Sequence, residues 1–229
     1  MKALILSIVS IILISRSLPC SGMRNTYKDD VNHKGILEKH GYRCRSGGTS
    51  HREMYIYLPE KYYESADSYP VVYFLHGANG NELSWIMKGQ ILSIIDRCVR
   101  RGDICECIYV FPDMNRYCND YDHIVSECNE TEEAFFSLNG SAEYSFINDV
   151  MMYVDGNFRT MPSKEYRAIA GLSLGGLQTL YITAEKPDSF GYIGLFSPII
   201  YPPLNAGKYS CIYNELEKKL KEVLSQITL

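Results

Sequence analysis

Clustered positive charge is missing from this 229-residue sequence. Its 23 Lys and Arg stand against 27 Asp and Glu, for a formal net charge of -4, with no basic run or stripe. Neutralising phosphates takes grouped cations, so no nucleic-acid partner is expected and small or neutral ligands fit better. Long apolar runs are scarce too. Residues 3–14 form the one such run, too short to span a bilayer, so no membrane span is expected. Histidine occurs at positions 33, 40, 51, 76 and 123 only, and the single tryptophan is Trp85. Internal repeats and low-complexity linkers are absent, which excludes collagen-like or wholly disordered chains. What is present, 46% hydrophobic and 22% charged residues, describes one globular domain. A chain of this length buries about 70% of its unfolded surface and needs neither metal nor a disulfide lattice to fold.

Lys2 followed by the apolar run 3–14 has the form of a signal peptide, which predicts a secreted, periplasmic or cell-surface protein. Cleavage fits after Ser17, part of a small-x-small site with Ser15, or near Gly22. A lipid anchor at Cys20 is not expected, because the residues before it depart from the usual lipoprotein pattern. Eight cysteines agree with export, namely Cys20, Cys44, Cys98, Cys105, Cys107, Cys118, Cys128 and Cys211. Seven remain if Cys20 leaves with the signal, an odd number that leaves a thiol free or paired between chains. Cys98, Cys105 and Cys107 lack the paired spacing of a zinc site, so no metal is expected. Asn129-Glu-Thr131 and Asn139-Gly-Ser141 are sequons.

Residues 1–22 are thus read as the signal, 23–52 as a polar N-terminal extension, and 53–229 as the folded domain. Met54 to Leu58, Val71 to Leu75, Cys107 to Phe111, Arg167 to Leu172 and Tyr192 to Phe196 read as strands, the second as a run buried on both faces. Ile86 to Val99, the periodic segment Phe146 to Val154, and Leu174 to Glu185 read as helices, as does the amphipathic Asn214 to Ile227. Strands alternating with helices predict an α/β domain with a mostly parallel sheet.

The chemistry centres on Gly171-Leu172-Ser173-Leu174-Gly175, with Gly176 following, placed where a strand turns into a helix. Small flanking residues let the backbone turn sharply and present the Ser173 hydroxyl beyond the strand end. The Leu174 amide and the helix N-terminus stand ready for the negative charge that forms when an ester carbonyl is attacked. Leu75-His76-Gly77-Ala78-Asn79-Gly80 follows an earlier strand and offers a second oxyanion amide, Ala78 being favoured and Gly77 the alternative. His76 is expected to order that loop rather than act as a base.

Tyr166 to Thr179 around Ser173, Leu75 to Gly80 with Trp85 after it, Phe111-Pro-Asp-Met-Asn115 and Pro187-Asp-Ser-Phe-Gly-Tyr192 together resemble the esterase family that contains esterase D, feruloyl esterases and acetyl-xylan esterases. The resemblance runs from about Met54 to Leu229. It implies an α/β-hydrolase fold, with helices on both faces of the sheet, and a serine esterase mechanism without a cofactor. By the same resemblance Ser173 is the nucleophile, and Leu174 and Ala78 supply the oxyanion amides. Trp85 and Gln178 border a small-molecule or polysaccharide ester substrate, although Trp85 also fits a core aromatic.

One departure from the family pattern stands out. α/β hydrolases place an acid and then a histidine after the serine, yet no histidine follows Ser173 here. Asp188 reads as a turn residue rather than a triad acid. The expectation is a chain cut short before the last strands, with weak activity or none, and with Tyr192 to Phe196 left as a sheet edge. A non-catalytic binding protein on the same fold is the competing expectation, and an acyltransferase or siderophore esterase a third.

Overall fold

The computed structural model describes residues 34–43, 51–114 and 144–198. Six strands form one sheet among them: β1 (Ile36–Arg43), β2 (His51–Leu58), β3 (Val71–Leu75), β4 (Ile108–Pro112), β5 (Arg167–Leu172) and β6 (Tyr192–Phe196). Their spatial order is β1-β2-β4-β3-β5-β6. β1 and β2 pair antiparallel, as do β2 and β4, whereas β4, β3, β5 and β6 run parallel.

Alternation along the central strands builds a core on each face. Val71, Tyr73 and Leu75 of β3 join Met54, Ile56, Ile108, Val110 and Ile169 beneath Phe146, Val150 and Val154. These last three lie on a π-helical turn, Phe146–Met151, continued by α2 (Met152–Asn157). Val72 and Phe74 face the other way, toward Tyr57, Tyr109 and Phe111, and are covered by Leu92 and Ile95 of α1 (Ile91–Arg100). α3 (Leu174–Glu185) adds Ile182 to the first core. Helices therefore cover both faces, as the family resemblance implies. No helix among the described residues is long and apolar enough to cross a membrane.

Three particulars differ from the sequence reading. Residues 36–43, within the polar extension expected over 23–52, form an edge strand whose inward residues alternate with exposed ones. His40 sits at this edge, bonded to Glu38 and to the Tyr153 hydroxyl. The helix expected over Ile86 to Val99 is broken at Gln90, which holds φ 49° and ψ 35° between a π-helical turn, Ser84–Lys88, and α1. β4 begins at Ile108 rather than Cys107. The expected helix Asn214 to Ile227, His33, His123 and both sequons lie outside the described residues.

Candidate active site

Parallel pairing of β3 with β5 sets Leu75 opposite Gly171, so the loops leaving the two strands emerge side by side. That is the carboxyl edge of the sheet, where α/β domains place their ligands. Ser173 occupies the turn from β5 into α3 with φ 55° and ψ -113°, a region L-residues seldom enter. Its own amide donates to the Phe196 carbonyl at 2.9 Å, tying the turn to the end of β6.

The glycines around it are there for space. A Cβ on Gly171 would lie 2.0 Å from the Gly175 carbonyl oxygen, and one on Gly175 would lie 2.5 Å from the carbonyl oxygen of His76. On Gly77 a Cβ would come within 3.4 Å of Ser173 Cβ. The loop after β3 therefore rests against the serine. Leu174, 2% exposed, opens α3, and amides in a first helical turn have no acceptor within their own helix. Ala78 is half-buried in the neighbouring loop. That loop is closed by a Gly80 N–H to Gly77 carbonyl bond of 3.0 Å, with Asn79 in the left-handed region.

His76 is 2% exposed and both ring nitrogens are engaged. Nδ1 lies 2.8 Å from the Gly77 carbonyl, and Nε2 accepts from the Met114 amide at 2.9 Å. Asp113 Oδ1 stands 3.3 Å from Nε2. His76 thus pins the β3 loop to the residues after β4, and neither nitrogen is left to take a proton from Ser173. The sequence marks both the histidine and the Phe111-Pro-Asp-Met-Asn115 segment, but carries no sign that the Met114 amide meets the His76 ring.

Trp85 donates its indole N–H to the Leu75 carbonyl at 2.9 Å and packs on Phe74 and Phe196 at centroid distances of 5.1 and 5.5 Å. These contacts brace the ends of β3 and β6 against each other. Gln178, one and a half turns into α3, is 2% exposed, and its Oε1 has no hydrogen-bond partner among the described residues. Asp188 is exposed in the turn before β6, where it pairs with Lys164 at 3.1 Å. No group of three or more His, Cys, Asp or Glu residues disposed to hold a metal occurs among the described residues.

A strained serine at a strand-to-helix turn, with a glycine-rich loop against it, on a sheet of this order defines an α/β-hydrolase-fold domain. The chain belongs to the esterase family described as "Putative esterase", whose model matches residues 49–221. It is 34% identical over 181 residues to an endo-1,4-beta-xylanase/feruloyl esterase of Xylanibacter ruminicola, covering 77% of this chain and 23% of that protein. Identity to endo-1,4-beta-xylanase Y of Acetivibrio thermocellus is 23%, covering 76% of this chain and 15% of the relative. The chain thus spans about a quarter or less of these curated relatives. Among solved structures, a ferulic acid esterase of Anaeromyces mucronatus superposes with a TM-score of 0.67 at 25% identity, over 82% of this chain and 68% of that one. An S-formylglutathione hydrolase of Staphylococcus aureus shares the fold with a TM-score of 0.60 at 15% identity, over 84% and 72% of the two chains.

Proposed function

We propose that this domain is a carboxylic-ester hydrolase site in which Ser173 attacks the acyl carbon. The amides of Leu174 and Ala78 receive the oxyanion. The observation that carries the reading is the conformation of Ser173, φ 55° and ψ -113°, held between the α3 N-terminus and the Gly77 loop. Such strain persists only where the surrounding structure over-determines it, and it costs about 1–3 kcal/mol. Relatives named as feruloyl or ferulic acid esterases support an acylated carbohydrate as the substrate class, with a hydroxycinnamoyl acyl group. The apolar run 3–14 supports export of the protein to meet such a polymer. Trp85 would form one wall of the approach to Ser173, held by its bond to the Leu75 carbonyl.

A serine hydroxyl becomes a good nucleophile when a histidine takes its proton. Within these 229 residues no histidine follows Ser173, and His76 is committed to Gly77 and Met114. The 229-residue chain is therefore expected to hydrolyse esters at the level that binding and oxyanion donors sustain, about 10³ to 10⁴ over water. The test follows p-nitrophenyl acetate and methyl ferulate hydrolysis by the chain and by Ser173→Ala. That residual rate survives loss of the serine, so the deciding readout is covalent: a fluorophosphonate adduct on Ser173 in the chain and none in Ser173→Ala supports the assignment, and no adduct on Ser173 refutes it. Ferulate binding that persists in both without any turnover points instead to a binding protein.

A further inference from the structure

Cys105 and Cys107 lie at the opposite end of β4 from Met114 and take no part in the site above. They stand two residues apart in the chain leading into the strand, a spacing that in extended backbone sends both side chains to one side. Their Sγ atoms are 3.7 Å apart. Cys105 is exposed, and Cys107 is buried with its S–H directed at the Cys105 carbonyl at 3.5 Å. Cys107 also lines a cleft with Tyr57, Asp96, Glu106 and Tyr109, so the pair borders a surface a small molecule can reach. Both thiols are free in this structure.

We propose that Cys105 and Cys107 form a reversible disulfide, closed by exchange with a low-molecular-weight disulfide and opened by the corresponding thiol. Cys105, as its thiolate, attacks one sulfur of the small disulfide. A mixed disulfide forms and one small thiolate leaves. Cys107 then gives its proton to solvent and attacks the Cys105 sulfur, displacing the second small thiolate. The two protein sulfurs lose two electrons in all, the small disulfide gains them, and the two thiol protons end on the two small thiols. Burial, then the neighbouring Cys105, pushes the Cys107 thiol up to about 12, which keeps it protonated at neutral pH. The exposed Cys105 is accordingly the entry point and Cys107 the resolving sulfur. A ring closed over a single intervening residue is strained, and strained, exposed disulfides are the readily reduced ones. This pair is therefore a redox-sensitive site rather than a structural staple.

Trypsin isolates the pair, since cleavage after Arg101 and Arg116 releases Gly102–Arg116, which contains Cys105 and Cys107 and no other cysteine. The full chain is equilibrated in buffers of graded reduced and oxidised glutathione, quenched with acid, alkylated with iodoacetamide, digested and weighed. The expected result is an unalkylated peptide two hydrogens lighter, whose share rises with oxidised glutathione and falls again on return to reduced glutathione. Cys107→Ser is expected to trap a glutathione adduct on Cys105. The proposal is overturned if both cysteines stay alkylated at every ratio, if wild type retains the glutathione adduct, or if the peptide is linked to another cysteine such as Cys98. The readout is independent of ester hydrolysis, so failure of either assignment leaves the other standing.

Discussion

Ser173 and its glycines form a set in which each residue is fixed by backbone rather than by side-chain chemistry. Gly175→Ala places a Cβ 2.5 Å from the His76 carbonyl and 2.6 Å from that of Leu75, and neither backbone atom can step aside cheaply. Overpacking of this kind costs about 1–3 kcal/mol, and here it also pushes the Gly77 loop away from Ser173. The expected outcome is a lower urea midpoint together with slower labelling of Ser173 by a fluorophosphonate, checked on one preparation. A second single-residue dependence lies under the sheet. Arg167, its side chain 6% exposed, pairs with Asp155 at 2.6 Å, and Asp155 also accepts from Thr160 at 2.9 Å. Asp155→Ala strands a buried guanidinium and is expected to cost about 3 kcal/mol, read as a fall in unfolding free energy.

The element least legible in the sequence is the stretch from Ser84 to Arg100. Its apolar spacing reads as one helix, yet Gln90 takes φ 49° and splits it. The reason is tertiary: Trp85 must reach the Leu75 carbonyl while Leu92 and Ile95 cover β4, and one straight helix does not serve both. A left-handed residue with a Cβ costs roughly 1–2 kcal/mol, whereas glycine is free of that penalty. Gln90→Gly is therefore expected to raise the melting temperature, by up to about 1 kcal/mol of stability after glycine's own entropy is counted. No change, or a decrease, would show that the break is held by something other than backbone geometry. In contrast, β3, β5, β6 and α3 match their sequence-read bounds, because each is bounded by a glycine, proline or serine turn and carries an unambiguous apolar pattern.

At the scale of the molecule, the two cores bury groups that ionise only in alkali. Burial raises the phenols of Tyr73 and Tyr109 and, with the Asp96 carboxylate, that of Tyr57; it also pushes the Cys107 thiol from 9.0 up to about 12. The folded chain holds these protons when the unfolded chain would release them. Their contribution is complete below the unfolded values and is lost as pH rises from about 9 through 12. The urea midpoint is expected to fall steadily over that window. A midpoint that holds constant to pH 12 would mean that these groups are open to water.

The sequence by itself determined the strand-helix alternation, the sharp glycine-flanked turn at Ser173 and the glycine-rich loop after β3, because glycine spacing and apolar periodicity are local consequences of backbone geometry. Which strands are neighbours was settled only in three dimensions. Pairing of Leu75 with Gly171 brings the two loops together, and the Met114 amide claims the His76 ring. Such contacts join residues distant in the chain, and no local pattern encodes the register that creates them.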